Sequence, residues 1–207
     1  MDVVFVRQGE YERGEKAYPL IRETASLYAM ECMDITSSAD LILPDVRKTE
    51  KGKPYLVWPD HDELDHIGIS VTHSGDIWMC AFSEGCCGLD FQYVRSGPGE
   101  SSIPERFFTE GERRYLENGG NFFDIWVRRE ALGKYAGDGW FGDYPDSCPE
   151  GRPAEKILIG GKEVFVHDLT ESLTNDAADE PSKADFERSY RAVLISGSEE
   201  APLIRTI

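Results

Sequence analysis

Residues 70–92 read SVTHSGDIWMCAFSEGCCGLDFQ. A His-Ser-Gly-Asp turn precedes an apolar run, a second Gly-containing turn follows, and then a short strand pattern ends in Asp90 and Gln92. Residues two apart on a strand share a face. Leu89 and Phe91 therefore turn into a core, and Asp90 and Gln92 point together at something else. The neighbouring pattern predicts three strands, over 67–72, 77–82 and 88–94, joined by the turns 73–76 and 83–86. Two tight turns in succession predict an antiparallel meander.

Outward from this stretch, the chain alternates helix and strand signals. Residues 17–32 carry Leu20, Ile21, Ala25, Leu27, Tyr28 and Met30 at helical spacing. Residues 46–59 give a basic turn, Lys48 to Lys53, leading into a short strand at 55–58. The loop 59–66, PDHDELDH, holds His61 and His66 five apart among acids; that spacing fits no standard metal motif, and a solvated loop is the better reading. RSGPGESSIPE at 95–105 is a linker. Residues 104–118 predict a helix or a broken helix pair, and 121–136 a further helix. The runs 157–169 and 190–197 predict late strands, with Gly160-Gly161 as a hairpin turn, and TNDAADEPSKAD at 174–185 is a polar connection between them. Each half thus offers a helix with antiparallel strands. The fold class is α+β, with an N-terminal half over 1–88 and a C-terminal half over 89–207, and no internal sequence repeat.

Composition limits the function. The chain has 207 residues and a formal net charge of −17. A nucleic-acid binder needs a basic surface to displace counterions, and an anionic membrane needs the same. Neither partner is expected. No apolar stretch approaches the roughly 20 residues of a membrane span, and the N-terminus has no basic segment of the secretory kind. Cys32, Cys80, Cys86, Cys87 and Cys148 are odd in number and form no C-x-x-C pair. Reduced thiols in a cytoplasmic protein are expected, each cysteine a small buried or turn residue.

The helix at 121–136 carries the other polar cluster. Trp126, Glu130 and Lys134 lie at i, i+4 and i+8 on one stripe. An ordinary Glu–Lys helix pair explains the last two on spacing alone. Beside a strand Asp, a basic Gly turn and a His-Ser-Gly turn, they are also the parts needed to hold Mg²⁺ on a pyrophosphate, since Mg²⁺ takes one or two protein carboxylates plus phosphate oxygens and water.

Taken in order, these blocks resemble the 4′-phosphopantetheinyl transferase superfamily, in its two-half, surfactin-synthetase type. The blocks are Gly52-Lys53-Pro54-Tyr55-Leu56; Ile69-Ser70-Val71-Thr72-His73-Ser74-Gly75, similar to F-N-x-S-H-S-G; Gly88-Leu89-Asp90-Phe91-Gln92, similar to G-I-D-I-E; Arg106-Phe107-Phe108-Thr109-Glu110-Gly111-Glu112, similar to R-F-F-x-x-x-E; and the run from Trp126 to Lys134, similar to W-x-x-K-E-A-x-x-K. The resemblance covers about residues 46–142 well. It implies a pseudo-twofold fold of two similar halves with the site between them, in a monomer. It implies transfer of phosphopantetheine from coenzyme A to a serine of an acyl or peptidyl carrier protein, with Mg²⁺, releasing 3′,5′-ADP. On the matching positions, Gly52, Lys53 and Pro54 would lie against the nucleotide, and Thr72 and His73 would touch phosphates. Asp90, Glu130 and Gln92 would face the metal. Glu130 would act as general base and Lys134 would steady the pyrophosphate, while Trp126 would seat the helix on the sheet.

The chain departs from the pattern in three places. Gln92 replaces a third acid, Arg129 replaces the Lys before Glu130, and the region before Gly52 is short, with Arg13 or Arg22 as its candidate phosphate cations. The resemblance also implies a carrier-docking segment, with Arg106, Arg113 and Arg114 among Phe107, Phe108, Tyr115 and Leu116; an amphipathic core helix is the competing reading. A degenerate member that binds coenzyme A or a carrier without turnover is the alternative function.

Overall fold

The computed structural model describes residues 1–32, 43–59, 61–94, 102–139, 142–174 and 190–207. Most of the linker 95–105 and of the polar connection 174–185 lies outside them. The chain is α+β. Strand β1 (Val3–Gln8) leads to helix α1 (Tyr18–Cys32), the hairpin β2 (Asp45–Lys48) and β3 (Pro54–Val57), then β4 (Ile67–Ser74), β5 (Ile77–Glu84) and β6 (Gly88–Tyr93). Helices α2 (Ile103–Phe107), α3 (Glu110–Glu117) and α4 (Phe122–Ala136) follow. The chain ends with β7 (Lys156–Ile159), β8 (Lys162–Asp168), α5 (Thr170–Thr174), β9 (Tyr190–Ser196) and β10 (Leu203–Thr206).

Two four-stranded sheets, ordered β10-β1-β5-β4 and β6-β9-β8-β7, stack between α1 and α4. The layering is written in the strands. On β5, Trp78, Cys80 and Phe82 meet α1, while Ile77, Met79 and Ala81 meet the second sheet. On β9, Ala192 and Leu194 face the first sheet, and Val193 and Ile195 face α4. Strands covered on both faces read as unbroken apolar runs rather than alternating ones, which is why 77–82 and 192–195 carry no charge.

The expected meander does not form. β4 and β5 make the first hairpin, but β6 leaves β5 and pairs antiparallel with β9 in the other sheet. The turn at Gly85, with φ +96°, carries the chain across. β6 then lies along β4 without a backbone ladder. Its edge amides at Leu89, Phe91 and Tyr93 donate instead to the hydroxyls of Ser70, Thr72 and Ser74, at 2.8, 3.3 and 3.3 Å. Buried N–H groups must find acceptors, and alternate hydroxyls on one strand face supply them at the right period. A turn signal marks a reversal of direction and does not say which sheet receives the next strand.

Three strands were not expected from the sequence, and one of them is β2, which precedes the basic turn and pairs with β3. The N-terminal run VVFV is β1, and the last residues form β10, parallel to it. The first sheet thus takes its edge strand from the C-terminus. The Gly160-Gly161 hairpin forms as expected, with both glycines at positive φ. Residues 104–118 form the broken pair α2 and α3, split by Phe108 and the capping box of Thr109 with Glu112.

Helix α4 sits on the second sheet through Val127, Ala131 and Leu132, with Trp126 packed at the edge of the same cluster as expected. Gly88 sets how near it comes: a Cβ there would lie 2.0 Å from the Ala131 carbonyl oxygen. Only glycine lets the start of β6 pass this close to the helix.

Candidate functional site

The seam between β4 and β6, covered by α4, gathers the polar residues singled out in the sequence. Asp90 is 1% exposed. Its Oδ1 accepts from Lys134 Nζ at 2.7 Å and from Thr72 Oγ1 at 3.0 Å, and its Oδ2 accepts from Gln92 Nε2 at 3.4 Å. Lys134 also donates to the Leu89 carbonyl at 2.9 Å. Asp90 and Gln92 do share a face, as the strand pattern requires, with Leu89 and Phe91 in the core behind them. Thr72 is fixed from both sides: it accepts the Phe91 N–H, so its hydroxyl proton is directed at Asp90. It positions the carboxylate.

Glu130 completes the cluster from α4. It is half-buried, and among the described residues it makes no hydrogen bond or ion pair. Burial first, and the Asp90 charge second, push its carboxyl above the usual range, with Lys134 offsetting part of this. A half-buried carboxylate without a donor, beside a second carboxylate, is a site whose charge favours a cation or a proton. A carboxyl raised on folding binds its proton more tightly folded than unfolded. It therefore lowers stability as pH rises through the carboxylate range. Replacing it with Gln removes that penalty. Glu130→Gln is expected to melt a few degrees above the native protein at pH 7, at about 2–4 °C per kcal/mol for a chain this size, and the two melting curves should converge near pH 4. Equal melting temperatures at both pH values would show that the carboxylate carries no such strain.

The second face of the cluster is a cleft of about 280 Å³ whose lining includes Gly52, Lys53 and Pro54, Ser70 on β4, and Gly133 and Lys134 on α4. The basic turn thus meets the end of α4. Lys53 does not stand free there. Its Nζ donates to the Tyr135 carbonyl at 2.9 Å and the Cys87 carbonyl at 3.4 Å, tying the last turn of α4 to the start of β6. Cations suit a helix C-terminus, where carbonyls lack partners.

His73, next on β4 after Thr72, turns to the opposite side. Its ring lies 5.5 Å from Tyr11, and Arg13 stands 5.6 Å over the Tyr11 ring. Burial, then the positive charges of Arg13 and Lys134, lower the His73 pKa. Of the two N-terminal candidates, Arg13 is the one that reaches this neighbourhood; Arg22 lies beside Asp45 at 3.9 Å. A groove of about 1090 Å³ runs past Arg13, lined also by Arg7, Tyr11 and Lys16.

Arg129 points away from Glu130 into the interior. Its Nη1 meets Glu112 Oε2 at 3.0 Å, with both side chains buried. Glu112 also accepts from Thr109 N at 2.9 Å and Ser147 Oγ at 2.7 Å. The cation before Glu130 is therefore a tether between α4 and α3. In the Arg-rich segment, Phe108 is core, Arg113 donates to the Phe108 carbonyl, and Arg114 pairs with Glu110 at 2.7 Å. Arg106 stays exposed over the Phe107 ring.

Some of this had a sequence signal that went unread. Ser70-x-Thr72-x-Ser74 is a hydroxyl at every second position of a strand, the period of a strand edge being capped. Tyr11 and Ser147 gave none, because their partners are 62 and 35 residues away. The rings of His61 and His66 both bond to Glu63, as in a solvated loop. All five cysteines are free.

Among the described residues, no three or more His, Cys, Asp or Glu groups gather as a metal cluster. Asp90 and Glu130 are a pair of carboxylates, and the third position beside them is the amide of Gln92. No described helix is long and apolar enough to cross a membrane. No protein-family model matches this chain, and a search of curated proteins finds no match either.

Proposed function

We propose that this chain transfers 4′-phosphopantetheine from coenzyme A to a serine of an apo acyl or peptidyl carrier protein. The observation that carries the reading is the unpartnered Glu130 carboxylate beside the Lys134–Asp90 ion pair, 2.7 Å across. The residue order that resembles the 4′-phosphopantetheinyl transferases supports it, as does the meeting of the Gly52–Pro54 turn with α4. In this reading the protein has the family's pseudo-twofold fold, with halves meeting near residue 88, and works as a cytoplasmic monomer.

Asp90 and Glu130, with the Gln92 amide, are the residues that would hold a divalent cation. Bound there, Mg²⁺ would supply positive charge to pyrophosphate oxygens. Glu130 takes the proton of the carrier serine, a role that suits a carboxyl whose pKa is raised. The serine oxygen bonds to the β-phosphorus, the P–O bond to the α-phosphate breaks, and 3′,5′-ADP leaves. Lys134 stabilises the charge developing on the leaving phosphate. His73 and Arg13 bind the nucleotide phosphates, Thr72 acts through Asp90, and Gly52, Lys53 and Pro54 shape the nucleotide cleft.

One observation favours the second reading, a protein that binds coenzyme A or a carrier without turnover. Both Asp90 oxygens already have donors within the protein, and Gln92 brings no charge. Calorimetric titration of coenzyme A with and without Mg²⁺ separates the two. The transferase requires Mg²⁺-enhanced binding that Asp90→Ala removes; binding indifferent to both the metal and the substitution belongs to the second reading.

Carrier proteins are acidic around the modified serine, and this chain is acidic overall, so docking requires a local basic patch. Arg113 and Arg114, on the α3 surface beside the half-buried Tyr115 and Leu116, provide one. Reversing both charges to Glu is expected to raise the carrier KM about tenfold and leave coenzyme A binding unchanged. An unchanged carrier KM would remove α3 from the docking surface.

A further inference from the structure

The geometry points to a second binding site, for a small monocarboxylate with an apolar body, on the far side of α4 from Glu130. Arg128 and Glu130 are two residues apart on the helix, so they face nearly opposite sides. Arg128 is 5% exposed and lines a cavity of about 560 Å³ between the middle of α4, strand β8 and the segment leading into β10. Its Nη1 donates to the Ala154 carbonyl at 2.8 Å. Among the described residues it has no carboxylate partner, and its Nε and Nη2 have no acceptor, yet neither is sealed from the cavity. A buried guanidinium without a counter-charge is costly, and the ligand it fits best is a planar carboxylate that takes two parallel hydrogen bonds.

The other basic side chains lining the cavity are engaged elsewhere. Lys156 pairs with Glu163 at 3.3 Å, and His167 Nε2 bonds the Ser198 carbonyl at 2.9 Å. Phe165, Val166, Leu169 and Pro202 form apolar wall, suited to a ring or a short hydrocarbon chain. The exposed acids Glu155, Asp168 and Glu199 stand around the same cavity. They repel a second negative charge, so a monoanion is preferred over phosphate or a dicarboxylate. The site shares no residue with the Asp90–Glu130–Lys134 cluster and stands whether or not that cluster transfers phosphopantetheine.

The test is a titration of the full-length protein with benzoate, and separately with inorganic phosphate, followed on the arginine Nε–Hε signals by nitrogen-15 NMR. The expected result is saturable benzoate binding that shifts the Arg128 signal, with phosphate at least about tenfold weaker. Arg128→Met should weaken benzoate binding about tenfold or more. Ala201→Trp, which fills the cavity from its wall while leaving Arg128 in the chain, should do the same, and keeps the test decisive if Arg128→Met fails to fold. No saturable benzoate binding, phosphate binding as tight as benzoate, or full binding in Ala201→Trp would each overturn the assignment.

Discussion

Arg129→Met is expected to cost about 3–5 kcal/mol of stability, more than any other single charge removal at the site. The pair it breaks is fully interior: Glu112 has no exposed side-chain surface and Arg129 has 7%. Without the guanidinium, Glu112 keeps the Thr109 amide and the Ser147 hydroxyl but loses its counter-charge, and a lone buried carboxylate is strongly unfavourable. It is also the N3 residue of the α3 capping box. Glu112→Gln combined with Arg129→Met should recover part of the loss, because the amide oxygen still accepts while the charge is gone. Urea unfolding of the two variants measures this. A single-variant loss below about 1 kcal/mol would mean that solvent reaches the pair.

Glu130→Gln should lower the rate of carrier modification by about 10²–10⁴-fold, the range for loss of a positioned general base, and the loss should fall on kcat. The same change raises stability at neutral pH, because it removes a half-buried carboxylate held above its usual pKa beside Asp90. A residue that costs stability and supports activity is a functional residue by its energetics, not only by its place in a motif. Lys134 behaves differently. Its bond to Asp90 and to the Leu89 carbonyl is part of the fold, so its replacement should lower stability and rate together.

Local features of this fold were legible in the sequence. Helices α1 and α4 follow from apolar spacing, β3, β5 and β9 from short apolar runs, and the turn at Gly160-Gly161 from its dipeptide. The face shared by Asp90 and Gln92 follows from the strand period. What connects elements was not legible. That β6 crosses to the second sheet depends on hydroxyls of β4 accepting its edge amides, a long-range hydrogen-bond choice that no turn signal encodes. That β10 returns to β1 depends on an edge 200 residues away. At the site, the types and order of Asp90, Glu130 and Lys134 could be read. The burial of Asp90 under Thr72, the turn of Arg129 toward Glu112 and the use of Lys53 on the Tyr135 and Cys87 carbonyls could not, because each is set by packing between elements rather than by spacing within one.

The most direct test of the central claim is intact-protein mass. A panel of apo carrier proteins is incubated with coenzyme A, Mg²⁺ and this protein, and in parallel with Glu130→Gln. The account predicts a mass gain of one phosphopantetheine on at least one carrier with the native protein, and none with the variant over the same interval. No gain on any carrier, with coenzyme A still bound and indifferent to Mg²⁺, would contradict it.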